Sequence, residues 1–587
     1  MILYNYFNFI NNKYWIIYYT ILIMYAIKLY FDFIKENIYL FILFILSILL
    51  SYPLEAVVLP QIYSSFFTSI KKGADKKVFI KYFIYIISVL IIIYLSYILM
   101  GYVEIKFLPK MNEYIINFLY TNILLKNKNN YTEIEFGKLI SRTNLLPSSL
   151  RDFNNLLFIW VCPKAVTIII IICYFFYVNY KLGLVSLISF IIIFIYNCYN
   201  YNKCINTSSI RYKYFEKQAE NIHDKLSNIF SIYSAGNVNK ELNSFYKDTS
   251  IYIDKFSDNL KCINNNKVVN IILLLISYIL LNLSVIYFYY KKEISLNLLI
   301  ATLLTITYYI PCFYTITTTL RELIHTLGVF KEIDPFIKDI YLYDKENKKN
   351  NNQNNMINND KIIKNGNITI KDLSFGYGNN IVIKNISLNI KAGEKIAITG
   401  SSGNGKSTLI KLLMGYYKVD DNMIYIDNID VNEYELNNLR TQISYVNQNT
   451  KLFNTTIIEN IKYGTTMTDK DVIQMINDIG INDLYSNLEH GFNSKVGIGG
   501  DKLSGGQRQM IYILRCFGKN NKIIILDEPT SSIDVHTKSL IMKAIKKLSK
   551  KCTLIIITHD KELLKLVERV VVIKSGEIVE DTKSSFF

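Results

Sequence analysis

Three stretches in the second half of the sequence carry side chains suited to phosphate chemistry. "GSSGNGKST", Gly400 to Thr408, fits the pattern G-x-x-x-x-G-K-[ST]. Gly400, Gly403 and Gly405, with the small residues Ser401, Ser402 and Asn404 between them, let backbone N–H groups converge on phosphate oxygens. Lys406 has the reach to meet the outer phosphates. Ser407 offers a hydroxyl to Mg2+, and Thr408 follows it into a helix. "KIIILDEPTSS" ends a buried apolar run in two adjacent acids, Asp527 and Glu528. Asp527 suits a metal, directly or through water, and Glu528 suits accepting a proton from an attacking water. "CTLIIITHD" brings His559 to the end of another apolar run, in place for a hydrogen bond to a terminal phosphate.

Two further positions join these on weaker spacing. Gln448 follows the run "QISYV", and its amide could touch both Mg2+ and water. Tyr377 precedes the loop, and an aromatic there can stack on adenine. A second anion-binding helix start lies far downstream in "KLSGGQRQM", where Ser504, Gly505, Gly506 and Gln507 open a helix.

These residues need a sheet whose strand ends share one edge. From Asn367 onward, short β-rich runs alternate with amphipathic segments: "KIAIT", "NMIYID", "QISYV", "KIIIL", "CTLIIIT", "VVVIKSG". That alternation predicts a largely parallel sheet with helices packed on it. Ligands in such sheets bind at the carboxyl ends of the strands.

The first half reads differently. Apolar runs long enough to cross a bilayer cover Ile38–Phe67, Val78–Glu104, Leu156–Val178, Leu182–Tyr201, Val268–Tyr290 and Leu296–Thr318. Tyr14–Phe31 is shorter, rich in Tyr and interrupted by Lys28, and reads as an interfacial helix, with a seventh span as the alternative. Two long connections, Ile105–Asn155 and Asn202–Lys267, are rich in Lys and Arg, which places them on the cytoplasmic side. Glu55, in "SYPLEAVVLP", is an ionisable group inside the first span and a candidate for a cavity. The resulting division is a membrane domain over residues 1–343, an Asn/Lys-rich linker over 344–366 and a nucleotide-binding domain over 367–587.

The bulk properties agree with this division. The chain has 587 residues, 51% of them hydrophobic, and a mean hydropathy of +0.20. Its net charge of +17 reads as positive loops flanking membrane helices, and no nucleic-acid partner is expected. The eight cysteines form no C-x-x-C pair, so neither a disulfide framework nor a zinc site is predicted. The N-terminal stretch resembles neither a secretory signal nor a transit peptide.

Taken together, these motifs resemble the ATP-binding-cassette (ABC) family. The order of parts matches: Tyr377, the Walker A loop Gly400–Thr408, Gln448 of the Q-loop, the signature Leu503–Gln507, Walker B with Asp527 and Glu528, Asp534 of the D-loop and His559 of the switch. The first half is similar to the exporter-type membrane domain, with Phe136–Asn144 and Ile229–Phe245 near its coupling helices. The fold implied is multi-domain, an all-α transmembrane bundle followed by an α/β P-loop ATPase domain. The resemblance implies a half-transporter that couples ATP hydrolysis to alternating access. It would pair with a second copy or a related half-transporter in a lipid bilayer. ATP and Mg2+ are the implied cofactors, and the nucleotide-binding domain is expected on the cytoplasmic side. In the family the signature of one chain caps the ATP held by the loop of the other. Two departures stand out. Ile498 and Gly499 replace a charged pair before the signature, and Asp560 and Lys561 follow the switch histidine. An ATP-gated channel, a regulatory membrane subunit and a non-transport ATPase acting on nucleic acid are the alternatives.

Overall fold

The computed structural model describes residues 24–583, except 72, 74, 128–135, 354–360, 379, 448–450, 486 and 532. Two compact units divide between Asn352 and Gln353.

The first unit is helical. α1 (Tyr25–Glu36) precedes α2 (Ile38–Pro53), which runs through a π-helical turn at Leu54–Val58 into α3 (Leu59–Lys71). α4 (Lys76–Lys126) follows. α5 (Phe136–Asn154) then continues through a second π-helical turn, Asn155–Val161, into α6 (Cys162–Val178). α7 (Tyr180–Ser227), the short α8 (Ile229–Ser234), α9 (Val238–Tyr290) and α10 (Leu296–Gln353) complete it. Six helical stretches are long and apolar enough to cross a membrane, and each contains one of the six runs read from the sequence. Along α4, Phe83, Ile84, Ile91, Tyr94 and Leu95 are all exposed, an apolar surface that only lipid or a partner would cover.

The expected interfacial helix lies partly outside the described residues. Its described end belongs to α1, whose Ala26, Leu29, Tyr30 and Phe33 are fully buried. Phe33 packs edge-on against Phe107, and the Tyr30 hydroxyl donates to Asn154 Oδ1 at 2.6 Å. α10 runs on to Gln353, into the stretch read as linker, with Lys348 paired to Asp344 one turn back at 2.8 Å. At the other end of that stretch, Asp427 accepts backbone N–H bonds from Lys364, Asn365, Gly366 and Asn367 at 2.7–3.0 Å.

The two long basic connections are continuations of the helices, not loops. α7 and α9 pack antiparallel along a polar seam. Asn197 and Asn270 exchange bonds at 3.1 and 2.7 Å, Tyr196 donates to Asn266 at 3.2 Å, and Lys225 pairs with Glu241 at 3.0 Å. A disulfide joins Cys204 to Cys262 in this seam, which corrects the expectation of no disulfide. The antiparallel register brings together two cysteines far apart in sequence.

The second unit holds two sheets. The six-stranded sheet has the order β10-β9-β3-β8-β7-β6, where β3 is Lys395–Thr399, β6 Ile443–Val446, β7 Ile523–Asp527, β8 Thr553–Ile557, β9 Arg569–Lys574 and β10 Glu577–Lys583. The five strands from β9 to β6 are parallel, and β10 pairs antiparallel at the edge. Both faces are covered. Ile524 and Leu526 enter one core while Ile523 and Ile525 enter the other, which is why the strand reads as an unbroken apolar run. "NMIYID" departs from the expected parallel sheet. It supplies β4 (Ile424–Ile426) to a separate antiparallel sheet with β1 (Ile368–Tyr377), β2 (Asn380–Ile390) and β5 (Ile429–Asp430).

Candidate nucleotide site

The loop Gly400–Gly405 joins β3 to α11 (Lys406–Leu413). Gly400 has φ +142°, and a Cβ there would meet the Ile573 carbonyl oxygen at 2.0 Å, so only glycine fits. Gly405 has φ +91°, with the Val382 oxygen 3.0 Å from where its Cβ would stand. Asn404 Nδ2 donates to the Ile573 oxygen at 3.1 Å and fastens the loop to β9. The Lys406 amine donates to the carbonyls of Gly400 and, at 2.9 Å, of Ser401, curling over its own loop. Burial holds its pKa below the usual lysine value, with Glu528 and Asp527 opposing.

The strand ends carry the rest. Ser407 Oγ donates to Asp527 Oδ2 at 3.2 Å. Asp527 is 5% exposed, and burial pushes its pKa up, with Glu528 adding. A buried carboxylate facing a hydroxyl beside the loop is a donor set that fits Mg2+. Glu528 takes φ +47°, a left-handed conformation costly for a side chain with a Cβ, while its N–H continues the ladder to the Ile557 carbonyl at 2.9 Å. His559 lies just past β8, with Nδ1 3.4 Å from Thr399 Oγ1, the residue before the loop. Tyr377 stands 3.4 Å from Thr408 through their hydroxyls and packs edge-on against Tyr417 at 5.2 Å. One sheet edge therefore collects Tyr377, Gly400–Thr408, Asp527, Glu528 and His559. Ser401 and Ser402 are exposed on the loop. Gln448 lies outside the described residues.

Ser504–Gln507 stands apart from this edge. Ser504 caps α15 (Gly505–Gly518) in a capping box: its hydroxyl accepts from Gln507 N–H at 3.2 Å, and Gln507 Oε1 accepts from Ser504 N–H at 2.9 Å. Gln507 Nε2 also donates to the Leu484 carbonyl at 2.8 Å, so this side chain holds the turn together. Gly506 is buried, and a Cβ there would meet Thr537 Cγ2 at 2.3 Å. The exposed part of this helix start is Ser504 and Gly505. Among the described residues, no hydrogen bond joins these four to the 400–408 loop.

Sequence reasoning missed three supports. Tyr445 Oη donates to Asp527 Oδ2 at 3.4 Å from the neighbouring strand. Thr399 orients His559. Asp560, noted only as a departure, accepts from Thr530 Oγ1 at 3.0 Å and pairs with Lys538 at 2.7 Å. Lys538 lies in α16 (Val535–Leu548), which Asp534 caps by accepting from Thr537 N–H at 2.8 Å. The β-strand alternation of Tyr445 was the one available signal.

Comparison with known proteins follows the same division. Residues 383–531 match the ABC transporter family. An ATP-dependent lipid A-core flippase of Francisella tularensis subsp. tularensis is 38% identical over 220 residues, 37% of this chain and 36% of that protein. The flippase of the same name from Syntrophus aciditrophicus is 40% identical over 215 residues, 36% of each chain. A protein named for multidrug export as an ATP-binding/permease protein, from Staphylococcus aureus, is 41% identical over 221 residues, 37% of this chain and 38% of that one. The chain thus spans little more than a third of the curated relatives it matches. A bacterial Atm1-family ABC exporter solved with ATP bound superposes with a TM-score of 0.79 at 18% identity, over 94% of this chain and 95% of that one. Residues 383–531 are therefore an ABC transporter domain, and the chain has the fold of an ABC exporter.

Proposed function

We propose that this protein is an ATP-driven membrane exporter that works as a dimer, its helical unit in the bilayer and its second unit on the cytoplasmic side. The observation that carries the proposal is the gathering of Lys406, Ser407, Asp527, Glu528 and His559 at one sheet edge, in a chain with six helices able to cross a membrane.

The backbone N–H groups of the loop hold the phosphates of ATP, and Lys406 swings from its own carbonyls to the outer phosphates. Tyr377 supports the adenine ring. Ser407, Asp527 and Gln448 are the residues that would hold Mg2+, which supplies charge neutralisation on the phosphate oxygens. Glu528 takes the proton of the attacking water, and His559, steadied by Thr399, donates a hydrogen bond to the terminal phosphate. Ser504 and Gly505 supply a helix N-terminus to the ATP of the partner chain. Binding of ATP draws the two nucleotide units together, hydrolysis releases them, and the helical units alternate their access. The names of the aligned relatives support a membrane-partitioning, amphiphilic substrate.

Reconstitution in liposomes tests this. Mg2+-dependent ATPase activity and ATP-dependent movement of a fluorescent amphiphile between leaflets are both expected. ATP hydrolysis with only passive movement would overturn the exporter reading.

A further inference from the structure

A cavity of about 230 Å3 lies within the helical unit, between α5, α7, α9 and α10. Ser148, Ser149, Asp152, Arg211, Tyr252 and His325 are among its lining residues. Its charge is unbalanced. The Arg211 guanidinium lies 3.9 Å from the Phe256 ring centroid, and among the described residues no carboxylate stands within ion-pair distance of it. Arg142, by contrast, is neutralised by Glu216 through bonds of 2.8 and 3.1 Å. Asp152 sits at the rim with a side chain 59% exposed, 3.9 Å from Arg151. His325 adds a second nitrogen donor within electrostatic reach of Arg211. The hydroxyls of Ser148 and Thr326 bond to backbone carbonyls of their own helices.

Depth gives the cavity a meaning. At 1.5 Å per residue, Arg211, Ser149 and His325 each lie about 45 Å along their helices from the ends at Tyr180, Val178 and Leu296. A bilayer with its headgroups is about 40–45 Å thick. If those helix ends mark the outer surface, as the proposed orientation has it, the cavity opens at the inner headgroup layer. Its volume is below the roughly 300–1,000 Å3 of pockets for whole drug-sized ligands, so it suits a headgroup and not the chains behind it.

We propose that this cavity is a binding site for the phosphate headgroup of an anionic amphiphile from the inner leaflet. Arg211 meets the phosphate with its fork of N–H donors, His325 donates a second bond, and Tyr252 covers the headgroup. The site rests on the membrane orientation proposed above and gives the exporter a preference for acidic amphiphiles.

Delipidated full-length protein, titrated without nucleotide and followed by native mass spectrometry, tests it. The probes are phosphatidylglycerol and phosphatidylcholine of equal chain length. Wild type should hold phosphatidylglycerol about tenfold more tightly, the scale of one charge-assisted hydrogen-bonded pair. Arg211→Gln should abolish the preference, Arg211→Lys should keep part of it, and His325→Leu, which keeps volume, should reduce it. Gel filtration and melting confirm folding of each variant. An undiminished preference in Arg211→Gln and His325→Leu overturns the proposal. Displacement of the lipid by soluble glycerol 3-phosphate would assign the cavity to a free anion and overturn the lipid. Because no ATP is present, the outcome stands apart from whether the protein transports.

Discussion

The hydroxyl of Ser407 and the carboxylate of Asp527 meet across 3.2 Å, tying the start of α11 to the tip of β7. Tyr445 reaches the same carboxylate oxygen from β6 at 3.4 Å. Three elements distant in sequence thus converge on one oxygen. Tyr445→Phe removes a single neutral hydrogen bond, worth about 0.5–1.5 kcal/mol. The Mg2+ concentration for half-maximal ATPase should rise about two- to tenfold, with folding unchanged. An unchanged Mg2+ titration would remove Tyr445 from the site.

Glu528→Gln should bind ATP but barely turn it over. Loss of a general base typically costs about 10²–10⁴ in rate, while Lys406 and Asp527 stay in place. Single-turnover measurements on the purified variant check this, and near-normal hydrolysis would refute the assigned role.

The shared site can be tested by pairing chains. Gly506→Asp is unsuitable, because its Cβ would strike Thr537 within its own chain. Ser504→Asp keeps a good helix cap and sets a carboxylate where a phosphate should dock. Combine a Lys406→Ala chain with a Ser504→Asp chain, isolate mixed dimers by distinct tags, and measure Mg2+-dependent ATP occlusion. One intact site should form, from the loop of the second chain and the helix start of the first. Absence of occlusion in assembled mixed dimers would mean that each chain caps its own nucleotide.

Asp560 bears on pH dependence. Burial raises its pKa, but the Lys538 ion pair, the Glu562 N–H and the Thr530 hydroxyl outweigh this and leave it below the usual value. A depressed carboxylate stabilises the fold above its unfolded pKa of about 3.9, and that contribution fades as pH falls through the folded value. Between about pH 5 and 3 the wild type should therefore lose more stability than Asp560→Asn, by about 1 kcal/mol. Parallel melting curves of the two proteins over that range would count against the ion pair.

Glu55 sits in the π-helical turn Leu54–Val58, half-buried and within electrostatic reach of Lys164. Lys164 is 8% exposed and stands over Trp160 at 4.8 Å and Tyr52 at 5.6 Å. Glu55→Gln should change the stimulation of ATPase by amphiphiles while leaving the unstimulated rate alone. Identical stimulation by every amphiphile tried would take Glu55 out of the path.

The nucleotide edge was legible because its signals are local. A glycine pattern between a strand and a helix, or two acids closing an apolar run, needs no knowledge of distant residues. The six spans were legible for the same reason. Polar helix continuations were not: Arg211 and Asn259 look like loop residues until their helix is seen to continue past lipid. The Cys204–Cys262 pairing depends on the register of two antiparallel helices, which composition does not encode. Nor did the sequence reveal that Gln507 is taken up by its own capping box, or that Tyr445 points at Asp527, since each depends on a partner chosen by tertiary packing.

The stitching of α7 to α9 has a mechanical consequence. Two rods that can slide bend as two thin rods, but bonded along a seam they bend as one thick beam. The disulfide and the asparagine pairs provide that bonding at several heights. At 1.5 Å per residue each helix is about 75 Å long, yet crossing lipid takes only about 30 Å. Most of the beam is therefore a free arm. A tilt of about 10° at its lipid-embedded centre would carry the far end through about 10 Å, given the length of that arm. Cutting the seam would let the two rods shear past each other, and the same tilt would then be absorbed before it reached the end.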